Sequence, residues 1–364
     1  MKLAVIFGTR PETIKVAPVI KELERTEGVE VLTITTAQHR DLIDSLLDLF
    51  EIKPTYDLNI FKKGQTLSDI TTSALKGLEE ILIKERPDVC LVQGDTTTVF
   101  AGALASFYQN IKLGHIEAGL RSGNIFSPYP EEANRKMVTQ ITSLHFAPTE
   151  EAQRNLLKEG VDRDSVFLTG NTVIDSLKYI SEKDFEFTGP LAEIDFDKER
   201  VVLLTAHRRE NWGKPMEEIF TAIQEVLDEK DDVRLVFPMH PNPKIREVAR
   251  SIFKDRAILL EPLSYIELVN IQKRAGIVIT DSGGIQEEAP FFGVPVLVIR
   301  EETERPEGVE AGTAKLVGTK YENVKREFLR LLDDEAEYKR MSNAISPYGD
   351  GRASERIVKA IMGE

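Results

Sequence analysis

Asp95 in "QGDTTTV" (93–99), Glu117 in "HIEAGLRSG" (115–123) and Glu131 in "SPYPEEANR" (127–135) put three carboxylates on three successive polar segments. Neighbouring carboxylates can divide proton transfer, one accepting while another donates. Structural uses of the same residues are equally easy to write. Asp95 or Thr96 would cap the next helix. Glu131 and Arg135, at i and i+4, would form a surface ion pair on one helix face. Three carboxylates at one sheet edge is more than caps require. His115 lies two residues before Glu117, on the same face of an expected strand.

A second set could bind an anion. "DSGGIQEEAP" (281–290) follows the apolar run "AGIVIT". Ser282, Gly283 and Gly284 can turn backbone N–H groups toward a phosphate at a helix start. A glutamate on the following turns, Glu288 among them, can accept from ribose hydroxyls. An ordinary strand–turn–helix joint with acidic residues complementing the dipole would look the same. "GTRPETIK" (8–15) repeats the pattern after the first run, with Arg10 and Lys15 as cations beside the turn; Lys15 also reads as a solvated helix residue. Arginine suits bidentate phosphate contact. His207 ends another run and is followed by Arg208 and Arg209, a further anion contact.

These residues need a scaffold that presents strand ends. "KLAVIF" (2–7), "VEVLTITTA" (29–37), "DVCLV" (88–92), "KLGHIEA" (112–118) and "LHFAP" (144–148) read as strands, with helices such as 67–84 and 97–109 between them. Pro11 opens the first helix. The alternation resumes with "RVVLLTAH" (200–207), "VRLVFPMH" (233–240), "AILLEP" (257–262), "GIVITD" (276–281) and "VPVLVIR" (294–300). Continuous apolar strands between helices predict parallel sheets covered on both faces. Residues 171–199 read as a helix followed by a charged linker. Polar blocks past the carboxyl ends of strands in both halves place a ligand there, in an interdomain cleft.

The chain has 364 residues, 41% of them hydrophobic, which suggests two α/β domains. A net charge of −14 argues against a nucleic-acid surface. The single cysteine, Cys90, sits in an apolar run and reads as core packing in a reducing compartment. The five histidines show no metal-ligand spacing, so no metal is expected. No G-x-G-x-x-G occurs, which argues against a nicotinamide cofactor. The first apolar run is too short for a signal peptide, and no stretch reaches membrane-span length, so a cytoplasmic protein is expected.

Taken together, "FGTRPE", "TAQHR", "GDTTT", "GHIEAGLRS", "SPYPEEANR", "TGNTVID", "AHRREN", "TDSGGIQEEAP", "TERPE", "AGT" and "SPYGDGRAS" resemble the non-hydrolysing UDP-N-acetylglucosamine 2-epimerases in order and spacing, over nearly the whole chain. The resemblance implies a GT-B-like fold of two Rossmann-like domains. One would comprise residues 1–170 plus 352–364 with the catalytic carboxylates, the C-terminal helix crossing back to it; the other, 171–351, would bind UDP. It implies Asp95, Glu117, Glu131 and His207 as catalytic polar groups. Arg10 and Lys15 would line the phosphates and sugar, and Arg135 and Arg305 would also reach the sugar nucleotide. Ser282, Gly283 and Gly284 would bind phosphate and Glu288 the ribose. Uracil would be read near Leu263 and Leu268, by backbone groups. Gln38, His39, Glu132, Arg209 and His240 match parts of a second, activating UDP-N-acetylglucosamine site of some members, while polar residues that some relatives carry near Asp41 and Gly64 are absent or changed. A homodimer and no cofactor are implied.

The chemistry narrows the mechanism. The hydrogen on C2 of the hexosamine has no adjacent carbonyl, so simple deprotonation is implausible. Elimination of UDP across C1–C2 to 2-acetamidoglucal, then re-addition with protonation from the other face, makes C2 trigonal without a redox cofactor. The alternatives are a hydrolysing 2-epimerase, an epimerase of a UDP-diacetamido uronic acid, a GT-B glycosyltransferase, and a UDP-sugar sensor with a decayed site. The sensor would lack a key carboxylate, and all three are present.

Overall fold

Strands made almost wholly of Val, Ile, Leu, Phe and Ala must be covered on both faces, and helices flank both sheets of this chain. The computed structural model describes residues 1–37, 40–62 and 64–363, with the backbone alone at 40–42. Two compact units result, Met1–Tyr179 with Tyr348–Glu364, and Ile180–Pro347.

The first unit holds strands β1 (Lys2–Phe7), β2 (Glu30–Thr35), β3 (Tyr56–Asp57), β4 (Val89–Gln93), β5 (Lys112–Ile116), β6 (Leu144–Ala147) and β7 (Val166–Leu168). They form one parallel sheet in the order β3-β2-β1-β4-β5-β6-β7. The second holds β8 (Arg200–Thr205), β9 (Val233–Pro238), β10 (Ala257–Leu260), β11 (Ile277–Thr280), β12 (Val296–Val298) and β13 (Ala314–Leu316). Their order is β10-β9-β8-β11-β12-β13, again parallel. Each sheet reverses its winding once, between β1 and β4 and between β8 and β11. In such sheets the crevice for a ligand opens at the carboxyl ends of those two strands.

The C-terminal helix Ala353–Met362 belongs to the first unit and packs on the helix Arg10–Arg25. Its first turn is held by the buried Asp175, which accepts from the backbone N–H of Ala353 at 3.1 Å and of Ser354 at 2.8 Å. The stretch expected to be a linker differs from that expectation. After the helix Thr172–Ser181, Phe187, Leu191, Ile194 and Phe196 pack into the core of the second unit. Phe187 stacks on Phe196 at 5.5 Å, and Arg274 lies over both rings. Apolar residues scattered among charges gave no periodic signal, yet they are enough to anchor the segment. Cys90 is buried in β4, and burial pushes its thiol up to about 12. Among the described residues no helix is long and apolar enough to cross a membrane.

His115 on β5 and His145 on β6 are register partners, and both are buried. Burial holds each imidazole down to about 4. For His115 the bond to Gly94 and Asp95 oppose this, while Arg121 and Arg135 add to it. The unfolded chain, with an ordinary histidine near 6.5, takes up these protons first as pH falls. The stabilisation from neutral burial is therefore present above about pH 6.5 and lost on the way down to about pH 4. His115→Gln, which keeps an N–H for Gly94, should weaken the loss of stability between pH 7 and 5 by about 2 kcal/mol. Urea midpoints at the two pH values measure this; parallel behaviour of wild type and variant would contradict it.

Candidate functional site

In the first unit the β1 and β4 ends are joined through a residue that sequence reasoning passed over. Glu12 is buried. One of its oxygens accepts from the backbone N–H of Gly8 at 2.6 Å and of Thr9 at 2.9 Å, and the other accepts from the hydroxyl of Thr96. Burial raises its pKa, and these three bonds oppose that rise. The T-x-x-E spacing of Thr9 and Glu12 is a capping box, so a signal was available. Gly8 is required by space: a Cβ there would run into the hydroxyls of Thr36 and Thr98, which bond each other at 3.0 Å. Arg10 starts the helix, half-buried, and its side chain makes no hydrogen bond or ion pair with the other described residues.

Asp95 follows β4 and is gripped by Arg135, whose Nε and Nη2 lie 2.8 and 2.6 Å from one carboxylate oxygen. Asn134 donates to the Asp95 carbonyl at 2.9 Å. Arg135 and Asn134 stand on the helix Glu131–Ile141. The expected Glu131–Arg135 pair does not form. Arg135 instead takes Glu132, one turn away at 3.0 Å. The cause is burial: Glu132 is fully buried and also accepts from the N–H of Ser122 and Gly123, so it needs the cation more. The side chain of Glu131 makes no hydrogen bond or ion pair among the described residues.

Glu117 lies just beyond β5, so the strand alternation that placed it on the His115 face stops short of it. Its φ is +66°, unusual for a residue with a side chain. The residues around it explain this. Gly94 N–H donates to the Ile116 carbonyl, and Ala118 N–H to the Phe146 carbonyl, both at 3.0 Å, so the chain is tied to β4 on one side and β6 on the other. The Glu117 side chain then meets Lys15 at 2.6 Å and the amide of Gln93. Lys15 is thus no solvated helix residue; its side chain is only 16% exposed and Glu117's 9%. His115 lies beneath, its Nε2 2.7 Å from the Gly94 carbonyl.

In the second unit His207 follows β8, and its Nδ1 lies 2.9 Å from Asp281, the residue after β11. His240 stacks on the His207 ring at 6.1 Å between centroids. Burial, then His207, lower the proton affinity of His240. Arg209 is exposed, with its cation over Trp212. Ser282 precedes the short helix Gly283–Glu288; its N–H donates to the Thr280 hydroxyl at 2.9 Å. Glu288 is buried and accepts from Gln272 at 2.9 Å. Its neighbour Glu287, unassigned from sequence, pairs with Arg305, while Thr303 bonds Gln286 at 2.6 Å. The "TERPE" segment is thereby knitted to the glycine turn, with Gly283 next to the Arg305 guanidinium. Leu263 and Leu268 are half-buried against the core of this unit. Gln38 and His39 lie outside the described residues.

Two parallel Rossmann-like sheets, each with polar groups at its winding reversal, define an α/β chain of the GT-B-like class. A sequence model of the UDP-N-acetylglucosamine 2-epimerase family matches residues 21–362. The UDP-N-acetylglucosamine 2-epimerase of Bacillus subtilis is 52% identical over 364 residues, covering 100% of this chain and 95% of that protein. A crystal structure of a putative UDP-N-acetylglucosamine 2-epimerase from Listeria monocytogenes superposes with TM-score 0.95 at 49% identity, over 100% of this chain and 96% of the other. The structure of the Neisseria meningitidis UDP-GlcNAc 2-epimerase bound to UDP-GlcNAc gives TM-score 0.87 at 44% identity, with 100% of both chains covered. The chain belongs to the UDP-N-acetylglucosamine 2-epimerase family.

A buried ion pair is costly to break from one side, because the remaining charge stays in place. Lys15→Met and Glu117→Gln should each destabilise the protein, and the double variant should be more stable than the sum of the two losses implies. A coupling of about 1–3 kcal/mol is expected from denaturation of the four proteins. Additive losses would mean that the pair contributes nothing as a pair.

Proposed function

We propose that the protein interconverts UDP-N-acetylglucosamine and UDP-N-acetylmannosamine without net hydrolysis, by eliminating UDP to 2-acetamidoglucal and adding it back. The observation that carries this reading is the division of labour among the carboxylates. Asp95 and Glu117 are each fixed by a cation, Arg135 and Lys15, while Glu131, at the start of its helix, makes no such pair among the described residues. A fixed carboxylate keeps its direction, and an uncommitted one is available to substrate. The family match over residues 21–362 supports the substrate class.

In the elimination, the C2 proton passes to a protein group as the C1–O bond to UDP breaks. The electron pair of the former C2–H bond becomes the C1–C2 double bond, and the bonding pair leaves with the β-phosphate. Re-addition reverses these steps with the proton delivered to the opposite face. Asp95 and Glu117 are the leading pair for proton transfer, with Glu131 orienting or sharing that role. Arg10, whose guanidinium makes no hydrogen bond or ion pair among the described residues, and His207 would stabilise the departing diphosphate. Ser282, Gly283, Gly284 and Arg305 would hold phosphate, Glu288 the ribose, and the backbone near Leu263 and Leu268 the uracil. The product would supply N-acetylmannosamine-type sugars for surface glycan synthesis, with the enzyme acting in the cytoplasm as a homodimer.

The test is turnover in heavy water. The epimer formed by the wild-type protein should carry deuterium at C2, seen by NMR. Asp95→Asn and Glu117→Gln should each lower turnover by at least about 10²-fold while UDP still binds. An epimer that keeps its original C2 hydrogen would exclude elimination, and release of free N-acetylmannosamine with UDP would replace the reading by a hydrolysing one.

A further inference from the structure

Asp281 has no solvent exposure, and nothing in the chemistry above uses it. Its surroundings are nonetheless highly specific. One carboxylate oxygen accepts from the backbone N–H of His207 at 2.9 Å, from that of Arg208 at 2.8 Å, and from the Asn211 side-chain amide at 3.2 Å. The other lies 2.9 Å from Nδ1 of His207. The His207 side chain is 40% exposed, and its Nε2 makes no hydrogen bond among the described residues. Asn211 is itself anchored to the Ile299 carbonyl at 3.1 Å, so the carboxylate sits in a fixed frame between the ends of β8 and β12.

That second oxygen has no aligned hydrogen-bond donor, but at 2.9 Å a lone pair on Nδ1 would face the carboxylate's own, so the ring nitrogen nearest it carries the proton. That leaves the lone pair of a neutral His207 on Nε2. We infer that Asp281 is a positioning residue: it holds His207 as the Nδ1–H tautomer and aims Nε2 outward as the atom that meets substrate. When Nε2 takes up a proton the ring becomes a cation beside a diphosphate, and the buried carboxylate balances that charge. Burial alone would raise the pKa of Asp281, and His207, then the backbone N–H groups of Arg208 and His207, bring it below the ordinary carboxylate value. The fold packs His240 on the other side of the ring, so the imidazole is fixed in plane as well as in tautomer. The substrate side of this inference rests on the epimerase reading; the tautomer does not.

Asp281→Asn separates the two roles. Its amide oxygen can still accept from the His207 and Arg208 N–H groups, but its NH2 now faces Nδ1 and demands the Nε2–H tautomer. Long-range nitrogen–proton NMR on labelled protein, with His207→Gln to assign the signal, reads the tautomer without substrate. The wild type should show Nδ1–H and Asp281→Asn should show Nε2–H. Turnover of UDP-N-acetylglucosamine by the variant should fall by at least about 10²-fold, with UDP affinity changed by less than about 3-fold, since phosphate contacts elsewhere are untouched. A wild-type His207 in the Nε2–H form overturns the inference, as does a variant that keeps Nδ1–H or keeps its turnover. Should the variant fail to fold, the wild-type spectrum alone still decides the tautomer. A wild-type protein with no epimerase activity would overturn the reaction assigned above and leave the tautomer measurement standing.

Discussion

A carboxylate taken out of water must have its lone pairs filled by donors, and both units are organised around one that does this at a winding reversal. Glu12 collects Gly8, Thr9 and Thr96 at the β1 and β4 ends. Asp281 collects His207, Arg208 and Asn211 at the β8 and β11 ends. An unpaired buried charge would cost several kcal/mol, so the loops that supply these donors are not free to drift. The half-buried side chains that follow, Arg10 and Asp95 in one unit and His207 in the other, inherit a fixed origin.

The polar side chains then divide by what they already hold. Arg135 spans Asp95 and Glu132, and Lys15 and Gln93 hold Glu117. Arg305 and Glu287 hold one another. Each of these groups can act on a ligand only through the partner it keeps or by exchanging it. Arg10, Glu131 and the Nε2 edge of His207 carry no such commitment among the described residues. The positive φ of Glu117 belongs to the same logic. Its backbone is tied to two neighbouring strands, and strain of about 1–3 kcal/mol is the usual cost of holding a side chain at such a conformation.

Most of this architecture was legible because parallel strands buried on both faces leave unbroken apolar runs. β3, β7 and β13 were not, because two- or three-residue edge strands carry no pattern to read. Past Ile116 the period-two argument failed at one residue, since nothing in "HIEAG" announces that Glu117 turns out of the sheet. The candidate site was legible as residue types at strand ends, while the choice of partners was not. Glu131 and Glu132 are the same residue type, adjacent, and both within reach of Arg135 by helical spacing. Only the burial of Glu132 decides between them.

That decision has a chemical consequence. Had Arg135 paired with Glu131, the helix Glu131–Ile141 would have spent its half-buried acid on an ion pair and left Asp95 to find another cation. By pairing with the buried neighbour, Arg135 neutralises Glu132 and orients Asp95 at once, and Glu131 keeps its oxygens open. Burial of the Arg135 guanidinium works against its charge, but Asp95 and Glu132 outweigh this, so the bridge stays cationic. The pattern that makes one carboxylate structural, the next directional and the third available thus follows from a single arginine satisfying the most deeply buried acid first.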